Sequence, residues 1–167
     1  DLETMMITVT VNGDLLVEVD NPEEVFNVIL SNISAGGKNV TFLNDTGTGT
    51  IVNDDILPVV TPGIAINVSE DAAITTMLSP VVTADVLSGT ANWSIESISG
   101  IDNNGNVVTT GLDAVFTIGA ANGVISVGSA LDRETIVSYT VTVTLSDGLN
   151  TSNPETVAIT VTDVNDN

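Results

Sequence analysis

The sequence predicts an all-β protein built from β-sandwiches, and three observations carry that prediction. Thr, Val, Ile and Ser dominate the chain, whereas helix-forming Lys and Arg together number only 2. Several segments alternate apolar and polar residues with period two, the pattern of half-buried strands. Turn signals break those segments at short intervals, and no window of about a dozen residues carries a helical period.

Met6-Ile7-Thr8-Val9-Thr10-Val11 is the first alternating run, and Asn12-Gly13-Asp14 reads as the turn that closes it. Gly36-Gly37 marks a second turn. Ile56-Leu57-Pro58-Val59-Val60-Thr61-Pro62 has two prolines and no glycine, so 56–62 reads as an extended, stiff linker. It separates a first segment, 1–55, from a second, 63–167, which has the length of one small sandwich. In the second segment Asp102-Asn103-Asn104-Gly105 and Asn122-Gly123 are turns. Ser138-Tyr139-Thr140-Val141-Thr142-Val143-Thr144 and Val157-Ala158-Ile159-Thr160-Val161-Thr162 are alternating strands. Trp93 is expected to pack in the core from its own strand.

Composition narrows the function. Twenty-two acidic residues against two basic ones leave a formal charge of −20, which opposes binding to nucleic acid. Such a charge also repels itself, and bound divalent cations would relieve the repulsion. A hydrophobic fraction of 43% argues for a packed core despite the acidity. The chain has no Cys and no His, which removes disulfides, soft metal sites and the usual catalytic triads. No run of about eighteen apolar residues is present, so no membrane insertion is expected in this segment.

Two acidic segments stand out. The chain ends in Asp163-Val164-Asn165-Asp166-Asn167, and upstream lies Leu131-Asp132-Arg133-Glu134. Both offer hard oxygen ligands, as Ca²⁺ requires, and alternating side chains on an extended stretch can serve two ions. These residues resemble the calcium motifs of cadherin repeats, and the resemblance runs from about Asn53 to the last residue. Asn53-Asp54-Asp55-Ile56-Leu57-Pro58 is similar to the inter-repeat linker, with Asp55 where the family usually has Asn. Val68-Ser69-Glu70-Asp71-Ala72 resembles the stretch whose glutamate sits at the base of a repeat. Phe116-Thr117-Ile118 through Gly123-Val124-Ile125 resembles the usual lead-in to the acidic element. The resemblance implies a lower Ca²⁺ cage of Glu70, Asp132, Glu134, Asp163 and Asp166, with Asn165 and Asn167 reaching towards a following repeat. At the other end Ala84-Asp85-Val86-Leu87-Ser88-Gly89 matches the family's ligand loop in part, because Leu87 replaces an acid. Asp85 and Asp147, with Asn53, Asp54 and Asp55, are the candidate ligands of an upper, interdomain site. Asp147-Gly148 reads equally as a tight hairpin turn.

The first segment resembles the second half of a Calx-β domain, in Thr8–Asp14, Glu24–Asn32 and the closing Gly47-Thr48-Gly49-Thr50-Ile51-Val52-Asn53-Asp54-Asp55. The implied architecture is tandem Greek-key, immunoglobulin-like β-sandwiches, the first one incomplete, in a chain cut from a longer one. The function implied is a non-enzymatic, calcium-binding structural and adhesion module of a large extracellular protein, on a bacterial cell surface or secreted. Its expected partners are neighbouring repeats of the same protein and another surface protein or glycan. The rival readings are an accessory or recognition domain of a secreted multidomain enzyme, or a directly homophilic or glycan-binding adhesive domain.

Overall fold

The computed structural model describes residues 6–13, 17, 24–32, 36–52, 55–80, 83–85 and 91–165, with the backbone alone for 79, 80 and 83–85. Among the described residues every regular element is a strand. The chain divides between Ile56 and Leu57 into two compact units, Leu16–Ile56 and Leu57–Asn167, the latter grouped with Asp1–Leu15.

In the first unit β1 (Glu24–Ile29) and β2 (Thr46–Ile51) form an antiparallel pair. Phe26 lies opposite Gly49, and its ring fills the place where a Cβ of residue 49 would stand. An aromatic ring over a cross-strand glycine covers backbone that would otherwise face water. Val25 and Ile29 remain 60% and 67% exposed, so this ribbon buries little apolar surface, and two strands alone are marginal in water.

The first alternating run does not become a strand. Met6–Val11 has no regular structure, and Met6 and Ile7 are 89% and 61% exposed. Alternation prepares a segment for a sheet, but the strand forms only against an edge that supplies ladder partners and a face to cover.

The second unit is a sandwich. Its larger sheet has the order β4-β12-β11-β7-β8, from Ile64–Ser69, Glu155–Thr162, Ile136–Ser146, Asn92–Asp102 and Val107–Val108. The other layer has β5 (Met77–Pro80), β10 (Val124–Val127) and β9 (Phe116–Ile118), and β3 (Val59–Val60) pairs with β6 (Thr83–Asp85). The two predicted strands of this unit lie within β11 and β12. Val157, Ile159 and Val161 point inward from β12, and Tyr139, Val141, Val143 and Leu145 point inward from β11. Phe116 and Tyr139 meet edge to face with centroids 5.1 Å apart, and Trp93 is buried in the same core. Val60, inside the proline-bracketed stretch 56–62, joins that core.

The predicted turns link these strands. The Asp102 carboxylate accepts bonds from the Asn104 and Asn106 amides at 2.9 and 2.8 Å and from Asn106 Nδ2 at 2.9 Å, closing the β7–β8 turn. Gly123, between β9 and β10, has φ of 66°, a left-handed conformation that a Cβ disfavours. Gly123→Ala is therefore expected to cost about 1 kcal/mol or more in urea denaturation.

Candidate metal centre

Strand direction assembles the acidic site. β4 runs parallel to β12, Thr162 pairing with Ser69, so both strands end at the same edge of the sandwich. Glu70 therefore follows β4 beside Asp163, which follows β12. β11 runs antiparallel to β12, and the turn that precedes it, carrying Asp132 and Glu134, reaches the same edge. Carboxylate oxygens of Glu70, Glu134 and Asp163 lie within 4.8 Å of one another. Two oxygens on one Ca²⁺, each at about 2.3–2.6 Å, can be no more than about 5 Å apart, so the three fit one coordination sphere. The donors are all hard oxygens, which suits Ca²⁺ over Zn²⁺ or copper. The cleft around them, about 340 Å³, is lined by Glu70, Asp71, Leu131, Asp132, Glu134 and Val164.

Each acid has a distinct local role. Glu70 accepts the Val164 amide on Oε1 at 2.6 Å and the Arg133 amide on Oε2 at 2.9 Å. Those two bonds, the Val164 one foremost, hold its carboxyl below the usual carboxylate range. Asp132 spends both oxygens on Thr135, accepting its hydroxyl at 2.8 Å and its amide at 3.0 Å, and these bonds lower its pKa. It caps its own turn and stands outside the tight trio. Burial, and then the Asp132 charge, push the Tyr139 phenol up. Asn165 is exposed beyond β12, while Asp166 and Asn167 lie outside the described residues. Asp71, next to Glu70, lines the cleft and stands outside the trio.

The upper candidates are placed differently. Asp147 ends the other side of β11, an 11-residue strand and so about 35 Å long, and cannot share an ion with Glu134. It is 3% exposed, and its Oδ1 accepts the amides of Leu149 and Asn150 at 3.0 and 2.8 Å. Asp85 pairs through its backbone with Val59, its side chain being outside the description. Asp55 belongs to the first unit, and Asn53 and Asp54 lie outside the described residues.

Asp147 supplies a pH test. The amides of Asn150 and then Leu149 depress its pKa, so its stabilisation is fully present above the unfolded value of about 3.9 and is lost as pH falls from there through the lower folded value. Asp147→Ala should cost about 1–3 kcal/mol at neutral pH by leaving the buried Asn150 amide without this acceptor. The fall of Tm with pH below about 4 should be shallower in Asp147→Asn.

A family model, the cadherin domain, matches residues 64–162. The chain belongs to the cadherin domain family. Cadherin domains are extracellular adhesion modules that typically bind calcium. Among curated relatives, human Protocadherin Fat 1 is 36% identical over 140 residues, 83% of this chain and 3% of that protein. Mouse Protocadherin Fat 4 is 32% identical over 172 residues, 99% of this chain. The cadherin chain thus spans about 3% of the length of either relative. Among solved structures, human CDH23 EC21-23 superposes with a TM-score of 0.62 at 25% identity, over 67% of this chain and 37% of that one. The sandwich predicted from alternation is thus a cadherin sandwich, and the larger sheet of this cadherin unit carries the acidic edge.

Proposed function

We propose that the cadherin unit is a calcium-dependent structural module that stiffens the junction with a following repeat in a long adhesive protein. The observation that carries this reading is the convergence of Glu70, Glu134 and Asp163 within 4.8 Å at the edge where β4 and β12 end. Asp132, Asn165, Asp166 and Asn167 would complete the cage, with the rest supplied by the neighbouring repeat. An ion bound by the folded site and not by the unfolded chain stabilises the fold by RT ln(1 + [Ca²⁺]/Kd), about 2.7 kcal/mol at a hundredfold excess. Extracellular modules bind at about 10⁻⁴–10⁻³ M, which outside calcium concentrations satisfy.

Asn53, Asp54, Asp55, Asp85 and Asp147 are proposed as the ligands of a second, upper site. In it Asp147 acts chiefly by fixing its own turn. For the first unit we propose the closing half of a Calx-β module, because two of the segments that resemble it pair as β1 and β2. The alignment with Protocadherin Fat 4 over 99% of the chain favours a second reading, the end of a preceding cadherin repeat.

The test is a thermal melt with Ca²⁺ raised from chelator to about 10 mM beside a Mg²⁺ series. A Ca²⁺-specific rise in Tm supports the proposal, and equal curves for both metals count against it.

A further inference from the structure

We propose that Glu70 is a positioning residue that fastens both ligand-bearing segments to the end of β4, so that this half of the cage is formed by protein contacts before any ion binds. The geometry is specific to Glu70. Its two oxygens accept amides from two remote segments, 94 residues away at Val164 and 63 away at Arg133. Val164 follows Asp163 and Arg133 precedes Glu134, so each bond seats the neighbour of a clustered carboxylate. Bonds from an amide to an ionised carboxylate are the shorter and stronger class, as the 2.6 Å contact illustrates.

Glu70 is itself anchored. Its amide donates to the Thr162 carbonyl at 3.2 Å, and the Thr162 hydroxyl donates to the Val68 carbonyl at 3.2 Å. The clamp therefore rests on the β4–β12 ladder. The bonds that Asp132 accepts come from Thr135 and the Glu134 backbone, within its own turn. It stiffens one segment and joins nothing. A carboxylate oxygen has two lone pairs, so each Glu70 oxygen can hold an amide and still face an ion. Without the clamp, repulsion would drive the Glu134 and Asp163 segments apart, and an ion would have to order them as it bound. With it, that ordering cost is met in advance.

The inference rests on the calcium reading only for this consequence, and its test is made without metal. Amide hydrogen exchange of the full chain is followed by NMR in chelator. The Val164 and Arg133 amides should be protected in the parent. Glu70→Gln offers one acceptor oxygen in place of two, and at least one of these amides should exchange about tenfold faster or more. The Thr135 amide, held by Asp132, should not change. Glu134→Gln, which removes a clustered carboxylate and leaves the clamp, should keep both amides protected. Unprotected Val164 and Arg133 amides in the parent, or unchanged protection in Glu70→Gln, would overturn the proposal. The parent measurement decides even where Glu70→Gln folds poorly. A failure of calcium binding would leave these exchange rates unaltered, so the two claims fail separately.

Discussion

Phe116→Ala is expected to remove about 3–5 kcal/mol from the stability of the cadherin unit, a large share of what a domain of this size possesses. Phe116 is 1% exposed on a three-residue strand at the edge of the smaller layer. Its ring meets Tyr139 of the larger sheet at 84°, so it is a direct bridge between the two layers. Truncation removes its transfer energy, leaves a cavity and deletes the edge-to-face contact. The three-stranded layer has few other large side chains with which to collapse into the gap. Trp93, the single tryptophan, is buried in the same core, so its fluorescence during urea unfolding reads the loss directly. Phe116→Leu should cost clearly less. A loss below about 1 kcal/mol for the alanine variant would mean that the layers are not held as described.

The second large effect concerns metal. Saturating Ca²⁺ should raise the Tm of the parent by about 10–20 °C, from about 2.7 kcal/mol at hundredfold excess and 4–8 °C per kcal/mol for a unit of this size. Glu134→Gln/Asp163→Asn should abolish that rise. In chelator the sign should reverse, because the variant relieves repulsion between carboxylates that lie within 4.8 Å. The variant should then melt at or above the parent. A variant that merely damaged the fold would melt lower in both conditions, which separates the two explanations.

Much of this was legible in the sequence, and the reasons differ by element. The inward face of β12 followed from the alternation of Val157, Ile159 and Val161, because period-two patterning records burial of one sheet face. Glu70, Glu134 and Asp163 stand in motifs that resemble the family's, and their carboxylates do converge within 4.8 Å. What brings them together, the parallel pairing of β4 with β12, was not legible, because alternation marks a face and says nothing about which strand lies alongside. Met6–Val11 shows the same limit in reverse: it has a strand's pattern and forms none. The division of labour among the acids was also hidden. Asp132 and Asp147 sit in acidic motifs beside turns, yet both direct their oxygens at amides of their own turns. Which amides a carboxylate holds is legible only from the geometry.

Whether the Glu70–Glu134–Asp163 edge binds Ca²⁺ is decided by isothermal titration calorimetry of the parent beside Glu134→Gln/Asp163→Asn. The parent should bind Ca²⁺ with a Kd of about 10⁻⁴–10⁻³ M and Mg²⁺ much more weakly, and the variant should lose the Ca²⁺ signal. Absence of Ca²⁺ binding by the parent, or binding that the variant keeps, would contradict a calcium site at this edge.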